Sequence, residues 1–266
     1  MHSHPLTDLH KIHPIIHCIT NYVTANDCAN ILLAAGASPV MADAPEEAAE
    51  ITAGAQALVL NLGTLSERRL AAMLAAGKQA NAMDIPVVFD PVGVSASAFR
   101  RNAAAELLSQ IRFTVIRGNL SEIRYLADTH ETAAGVDAQS GSAEQALSAG
   151  TTLARNTGSI VTVSGTEDIV TDGTDTYKVS NGHPVLRQIT GAGCMLSVLI
   201  GAFLTVDRSA EGCTAAVCAM GLAGETAASR LTVKDGNATC RNHLIDAVYR
   251  MTDAMLWRGA DFCKQR

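Results

Sequence analysis

The 266-residue chain is 48% hydrophobic and 17% charged, with 20 basic groups against 26 acidic ones and a formal net charge of −6. That balance, with 4% aromatic residues and no basic cluster, excludes the electrostatic footprint and stacking platforms of a nucleic-acid binder. No apolar run reaches the length of a membrane span, and the opening MHSHPLTDLHKIHP lacks the apolar centre of a signal peptide; the chain reads as cytoplasmic and globular.

Histidines crowd the beginning, at positions 2, 4, 10, 13 and 17, among prolines and a turn. Solvated and capping roles compete there with a metal site, because no helical pair of ligands is formed. Further on, ALVLNLG (57–63), PVVFDPV (86–92), FTVIRGN (113–119) and SIVTVSG (159–165) are short, β-branched and almost continuously apolar. Strands buried on both faces have this character. Helical patterns at 65–83 and 95–111 lie between them, so the alternation predicts right-handed crossovers and a mostly parallel sheet.

The segment 168–182 breaks the rhythm with two alternating runs around Asp172-Gly173, a hairpin signal. Beyond Gly182 the pattern predicts helices at 191–205, about 210–231 and about 240–258. No repeat, linker or composition shift divides the chain, so one domain over 1–266 is expected. The seven cysteines (18, 28, 194, 213, 218, 240 and 263) are odd in number and form no CxxC pair, which speaks against a disulfide framework or a zinc site.

In open parallel sheets, ligands gather beyond the carboxyl ends of the strands. Four polar clusters fall there: Asn61 with Gly63, Asp90 with Gly93, Arg117 with Asn119, and Ser164 with Gly165. Arg117 can meet phosphate oxygens through parallel hydrogen bonds. Glu122 follows Asn119 by three residues, so a capping box and a magnesium-ligand role are both open to it.

RQITGAGCMLSVLIGAFL (187–204) places two glycines and a thiol at the entrance of an apolar helix. Thr190 is the expected N-cap, and the first helical amides offer an anion hole for a transferring phosphoryl group. No Gly-Lys-Ser/Thr follows, which excludes a Walker-type site. The helix dipole is expected to lower the Cys194 thiol pKa. Three roles are open to that residue: inert packing, a covalent nucleophile served by a histidine such as His183, or a group that positions a substrate hydroxyl and accepts its proton.

PIIHCITNYVT (14–24), SPVMAD (38–43), FDPVG (89–93), RGNLSE (117–122), SNGHP (180–184) and TGAGCMLS (190–197) together resemble the hydroxyethylthiazole kinases, a family of the ribokinase-like superfamily. The resemblance covers essentially the whole chain and implies a three-layer α/β/α sandwich with a mostly parallel central sheet and an appended β-hairpin. It also implies a homotrimer with active sites between subunits. The implied reaction moves the ATP γ-phosphate to 4-methyl-5-(2-hydroxyethyl)thiazole in thiamine salvage. By the same resemblance Met41, Asn21 and Gly191 would meet the thiazole, and Arg117, Ser164 and Asn119 would bind ATP. Asp90 and Glu122 would organise Mg²⁺. Gly191, Gly193 and Cys194 would form the catalytic turn, Cys194 standing where most ribokinase-like enzymes carry an aspartate base. The rivals are a transferase or hydrolase with Cys194 as nucleophile, a ribokinase-like enzyme acting on another small alcohol or a hydrate, and a non-catalytic thiazole binder.

Overall fold

A computed structural model of the chain describes residues 4–128 and 143–265, so His2 lies outside the described residues. The four apolar runs form β3 (Ala57–Asn61), β4 (Val87–Asp90), β5 (Val115–Asn119) and β6 (Ile160–Ser164), preceded by β1 (Ile15–Ile19) and β2 (Ser38–Val40). The expected hairpin follows as β7 (Asp168–Thr171) and β8 (Thr176–Val179), and β9 (Phe262–Gln265) comes near the end. Among the described residues these strands make one sheet in the order β2-β1-β3-β4-β5-β6-β7-β8-β9. Pairing is parallel from β2 to β6 and antiparallel from β6 to β9.

The helices are α1 (Pro5–Ile12), α2 (Ala25–Ala34), α3 (Ala48–Ala53), α4 (Glu67–Ala82), α5 (Ala98–Gln110), α6 (Leu120–Asp128) and α7 (Ala143–Thr157). They continue with α8 (Ala192–Phe203), α9 (Ala210–Ser229), α10 (Asn237–Arg250) and α11 (Asp253–Gly259). Helices α3 to α7 bury Ala48, Met73, Leu107, Ile123 and Leu153 against one face of the sheet. The others bury Leu9, Ile31, Leu199, Cys213 and Leu244 against the opposite face. Two apolar layers enclosing a sheet make the expected three-layer sandwich. No helix among the described residues is long and apolar enough to cross a membrane.

One expectation about the last third is corrected. The predicted helix over 240–258 is two helices, because Met251 is extended and Thr252 restarts the helix as a cap, accepting from Met255 N. The chain then returns to the sheet as β9, which pairs with β8 and sets Phe262 6.5 Å from the Tyr177 ring. One aspartate of α11 also ties α1 to the last third of the fold. The buried Asp253 carboxylate accepts the backbone N–H groups of Leu6 and Thr7 and the Thr7 hydroxyl, so it caps α1 from 246 residues away.

Candidate active site

The chain runs outward from β1 to β2 and returns to β3 on the other side of β1, which opens a crevice at the carboxyl ends of β1 and β3. Asn21 follows β1, Asn61 ends β3 and Asp90 ends β4. All three are buried, and α8 lies over them with Cys194 in its first turn.

The two amides are saturated by this arrangement. Asn21 Nδ2 donates to Asn61 Oδ1 at 3.1 Å and to Cys194 Sγ at 3.3 Å. Asn61 Nδ2 donates to Asp90 Oδ2 at 2.8 Å and to Cys194 Sγ at 3.3 Å. Asn21 Oδ1 accepts from the Thr24 backbone N–H and hydroxyl, while Asn61 Oδ1 also accepts from Gly63 N. Both Asn21 amide hydrogens are therefore committed, one of them to the sulfur. Ser197 Oγ, one helical turn after Cys194, donates to Asp90 Oδ2 at 2.8 Å.

The electrostatics reverse one expectation. Burial pushes the Cys194 thiol up, the Asp90 charge pushes it further, and hydrogen bonds from Thr24, Asn21 and Asn61 only partly oppose them. The expected lowering from the helix dipole is outweighed, and the resting thiol is protonated. Burial also raises the Asp90 carboxyl, against the pull of Arg117. The sulfur's hydrogen bonds come from Asn21 and Asn61, while His183 Nδ1 accepts from Val185 N and begins a short 3-10 turn at Pro184–Gln188.

Gly191, rather than Thr190, is the N-cap of α8. Its φ of 84° suits glycine, and a Cβ there would come within 2.4 Å of Thr24 Cγ2. Ala192 N donates to Ile189 O and Met195 N closes the first helical bond to Gly191 O. The free helix-entrance donors are thus the Gly193 and Cys194 amides. A Cβ on Gly193 would lie 2.5 Å from Arg117 Nη1, so this glycine is what lets the guanidinium lie against the helix entrance.

Arg117 donates from Nε and Nη2 to Ser164 Oγ at 3.1 and 2.9 Å, and its Nη1 is 3.8 Å from Asp90 Oδ2. Arg117, Asn119, Ser164, Gly191 and Gly193 line a cavity of about 600 Å³. Leu186, Ile189, Leu196, Val217 and Met220 supply apolar wall to the same cavity. Asp168, at the start of β7, also faces this cavity, and burial lifts its carboxyl to about 6 although Gly165 N and Arg117 favour the charged form. The sequence marked that position only as the edge of a hairpin.

Glu122 and Asn119 make the capping box: Asn119 Oδ1 accepts from Glu122 N at 3.0 Å, and Glu122 Oε2 accepts from Asn119 N at 2.8 Å. Glu122 Oε1 also accepts from Gly93 N at 2.9 Å. Asp90 Oδ1 is buried without a hydrogen-bond partner, the kind of oxygen a hard cation would use, and the Glu122 charge acts on Asp90. Met41 stands apart, one residue beyond β2, 37% exposed and outside the cavity wall.

A family model described as the hydroxyethylthiazole kinase family matches residues 6–254. A hydroxyethylthiazole kinase of Clostridium acetobutylicum is 45% identical over 254 residues, covering 92% of this chain and 93% of that protein. One from Methanocella arvoryzae is 45% identical over 248 residues, covering 93% and 92%. The solved structure of a hydroxyethylthiazole kinase protein from Pyrococcus horikoshii matches with a TM-score of 0.90 at 35% identity over 98% of each chain. A pyridoxal kinase from Staphylococcus aureus, in complex with AMP-PCP and pyridoxal, matches with a TM-score of 0.63 at 15% identity over 94% and 97%, a likeness of fold alone.

Proposed function

The chain belongs to the hydroxyethylthiazole kinase family, and on that premise we propose how its residues move the γ-phosphate of ATP to the hydroxyethyl oxygen of 4-methyl-5-(2-hydroxyethyl)thiazole in thiamine salvage. The observation that carries the assignment of roles is the junction at α8: Arg117 lies against Gly193 while two side-chain amides fix the Cys194 sulfur beside it.

The cavity takes ATP, with the base toward Leu186, Val217 and Met220 and the phosphates toward Arg117 and Ser164. Arg117 leaves Ser164 to pair with phosphate oxygens, and Ser164 becomes free to donate its hydroxyl proton. Asn119 keeps the phosphate end of the wall in shape by capping α6. The Gly193 and Cys194 amides meet the charge that builds on the transferring group. The alcohol oxygen lies beside Cys194, whose neutral thiol orients it. Phosphoryl transfer through a loose transition state makes little demand for a strong base, so the hydroxyl proton leaves late, to phosphate.

Asp90 and Glu122 fit a Mg²⁺ site of the kind that uses one or two carboxylates and completes itself with phosphate oxygens and water. Bound there, the ion would neutralise charge on the β- and γ-phosphates. Asn21 aligns the sulfur, Gly191 borders the alcohol, and Met41 packs on the thiazole ring through its soft thioether. The chain acts as one kinase domain over 1–266, in the cytoplasm, as a homotrimer whose subunits share the thiazole site. Exposure of Tyr22 (75%), Val23 (58%) and Met41 beyond β1 and β2 supports a second copy covering that end.

The nucleophilic-cysteine reading has less support, because the sulfur is bonded to amides and its pKa is raised. A coupled ADP-release assay across thiazole, pyrimidine and sugar alcohols, with and without Mg²⁺, tests the assignment. Magnesium-dependent turnover favouring the thiazole alcohol is expected; turnover without ATP, or an equal response to every alcohol, would reject it.

A further inference from the structure

His17 lies in the middle of β1, wholly buried, in register with Val40 of β2 and Leu58 of β3. The sequence grouped it with solvated or capping histidines, and the structure corrects that. Its Nε2 is 2.7 Å from Ala42 O and its Nδ1 is 2.8 Å from Thr52 Oγ1. A carbonyl only accepts, so Nε2 carries the proton and donates to Ala42. Burial lowers the pKa of the ring, against the Ala42 hydrogen bond and the Glu47 charge, and the neutral form leaves Nδ1 as an acceptor.

Thr52 has one hydroxyl proton and two acceptors within reach, His17 Nδ1 and, at 2.7 Å, Ala48 O. The ring therefore joins two points of the connection from β2 into α3: the carbonyl next to Met41, and a hydroxyl in the helix that follows. From the outside the same connection is fastened by α4, through Arg69 to Asp43 and Arg68 to Glu46. Those pairs are solvent-exposed on the carboxylate side and worth little individually, whereas the His17 bonds are dry.

We propose that His17 is the positioning residue of the 41–47 segment, setting through Ala42 the place of Met41 and hence affinity for the thiazole alcohol. The inference rests on the reading of Met41 as a thiazole contact. Glutamine can carry an N–H to the depth of Nε2, whereas asparagine reaches only that of Nδ1. His17→Gln therefore keeps the Ala42 bond and His17→Asn loses it.

The test compares both variants with Met41→Ala in steady-state assays, alongside hydrogen exchange of the 41–47 amides in the full chain. His17→Asn is expected to raise KM for the alcohol about tenfold, the effect of one lost buried hydrogen bond. Its KM for ATP stays at the wild-type value and exchange in 41–47 quickens. His17→Gln stays near wild type in all three. Wild-type exchange and KM in His17→Asn, or equal KM rises for both substrates, would overturn the proposal. If Met41→Ala leaves KM unchanged while exchange still quickens in His17→Asn, the Met41 contact is what fails and His17's hold on the segment stands. Should His17→Asn not fold, His17→Leu serves instead, since it fills the apolar space of the ring without a donor for Ala42 O: quicker exchange in 41–47 supports the proposal and unchanged exchange overturns it.

Discussion

Asn61 divides its two amide hydrogens between Asp90 and Cys194, so the carboxylate that ends β4 and the sulfur that begins α8 are held by a single side chain. With Asn21 donating from the other side, the sulfur occupies a position built for an acceptor stronger than a thiol. Cys194→Asp would accept both N–H groups as charge-assisted bonds. We expect kcat at or above the wild-type value, with the alcohol proton gaining a carboxylate acceptor. Steady-state kinetics decide the matter; a collapsed kcat with ATP binding and fold intact would remove Cys194 from the role of orienting the alcohol.

Gly193→Ala puts a methyl 2.5 Å from Arg117 Nη1, and the guanidinium must swing off the helix entrance. A loss of roughly tenfold or more in kcat/KM for ATP is expected, or about 1.4 kcal/mol. Arg117→Lys should not recover what Arg117→Ala loses, because one ammonium cannot reproduce the paired donors that now hold Ser164. Wild-type ATP kinetics in Gly193→Ala would show that the contact is idle.

Glu122 has two separable duties. Glu122→Gln keeps an acceptor for one of the Gly93 and Asn119 amides but loses charge, so about 1 kcal/mol of stability should go with the impaired capping box. The magnesium concentration for half-maximal rate should also rise several-fold. A lower melting temperature with unchanged metal dependence would confine the residue to holding Gly93 and Asn119.

Asp168 makes stability depend on pH in an identifiable window. Its folded carboxyl titrates near 6, above an unfolded value of about 3.9. Between those values the native state binds a proton that the unfolded chain has released, so this residue's contribution to stability falls as pH rises from about 4 to 6. Asp168→Asn retains an acceptor for Gly165 N and removes the titration. The variant's melting temperature should gain on that of the wild type across this interval and hold the gain above it. Parallel melting curves would place the carboxyl at an ordinary pKa.

What the sequence disclosed follows from how local each signal is. The runs that became β3 to β6 were legible because strands covered on both faces need apolar residues at every position, and the hairpin because Asp172-Gly173 announces a turn. The motifs also placed Arg117, Asn119 and Ser164 on one edge of the sheet. Cys194 was misread where a neighbouring helix dipole was weighed without the burial and the Asp90 charge that outweigh it. Asp168 and His17 were missed for a related reason. One acquires its raised pKa from a cavity assembled by β5, β6 and α8, and the other its partners from a connection 25 to 35 residues further along. The strand β9 carries little apolar signal and is defined by the β8 edge it joins.

The clasp between Asp253 and α1 also bears on the order of assembly during synthesis. The nascent chain exposes α1 long before the ribosome has made the carboxylate that accepts its Leu6 and Thr7 amides. Until translation passes Asp253, α1 lacks this cap and has yet to meet α11, so the first turn of the helix keeps two unpaired amides for as long as the last third is missing.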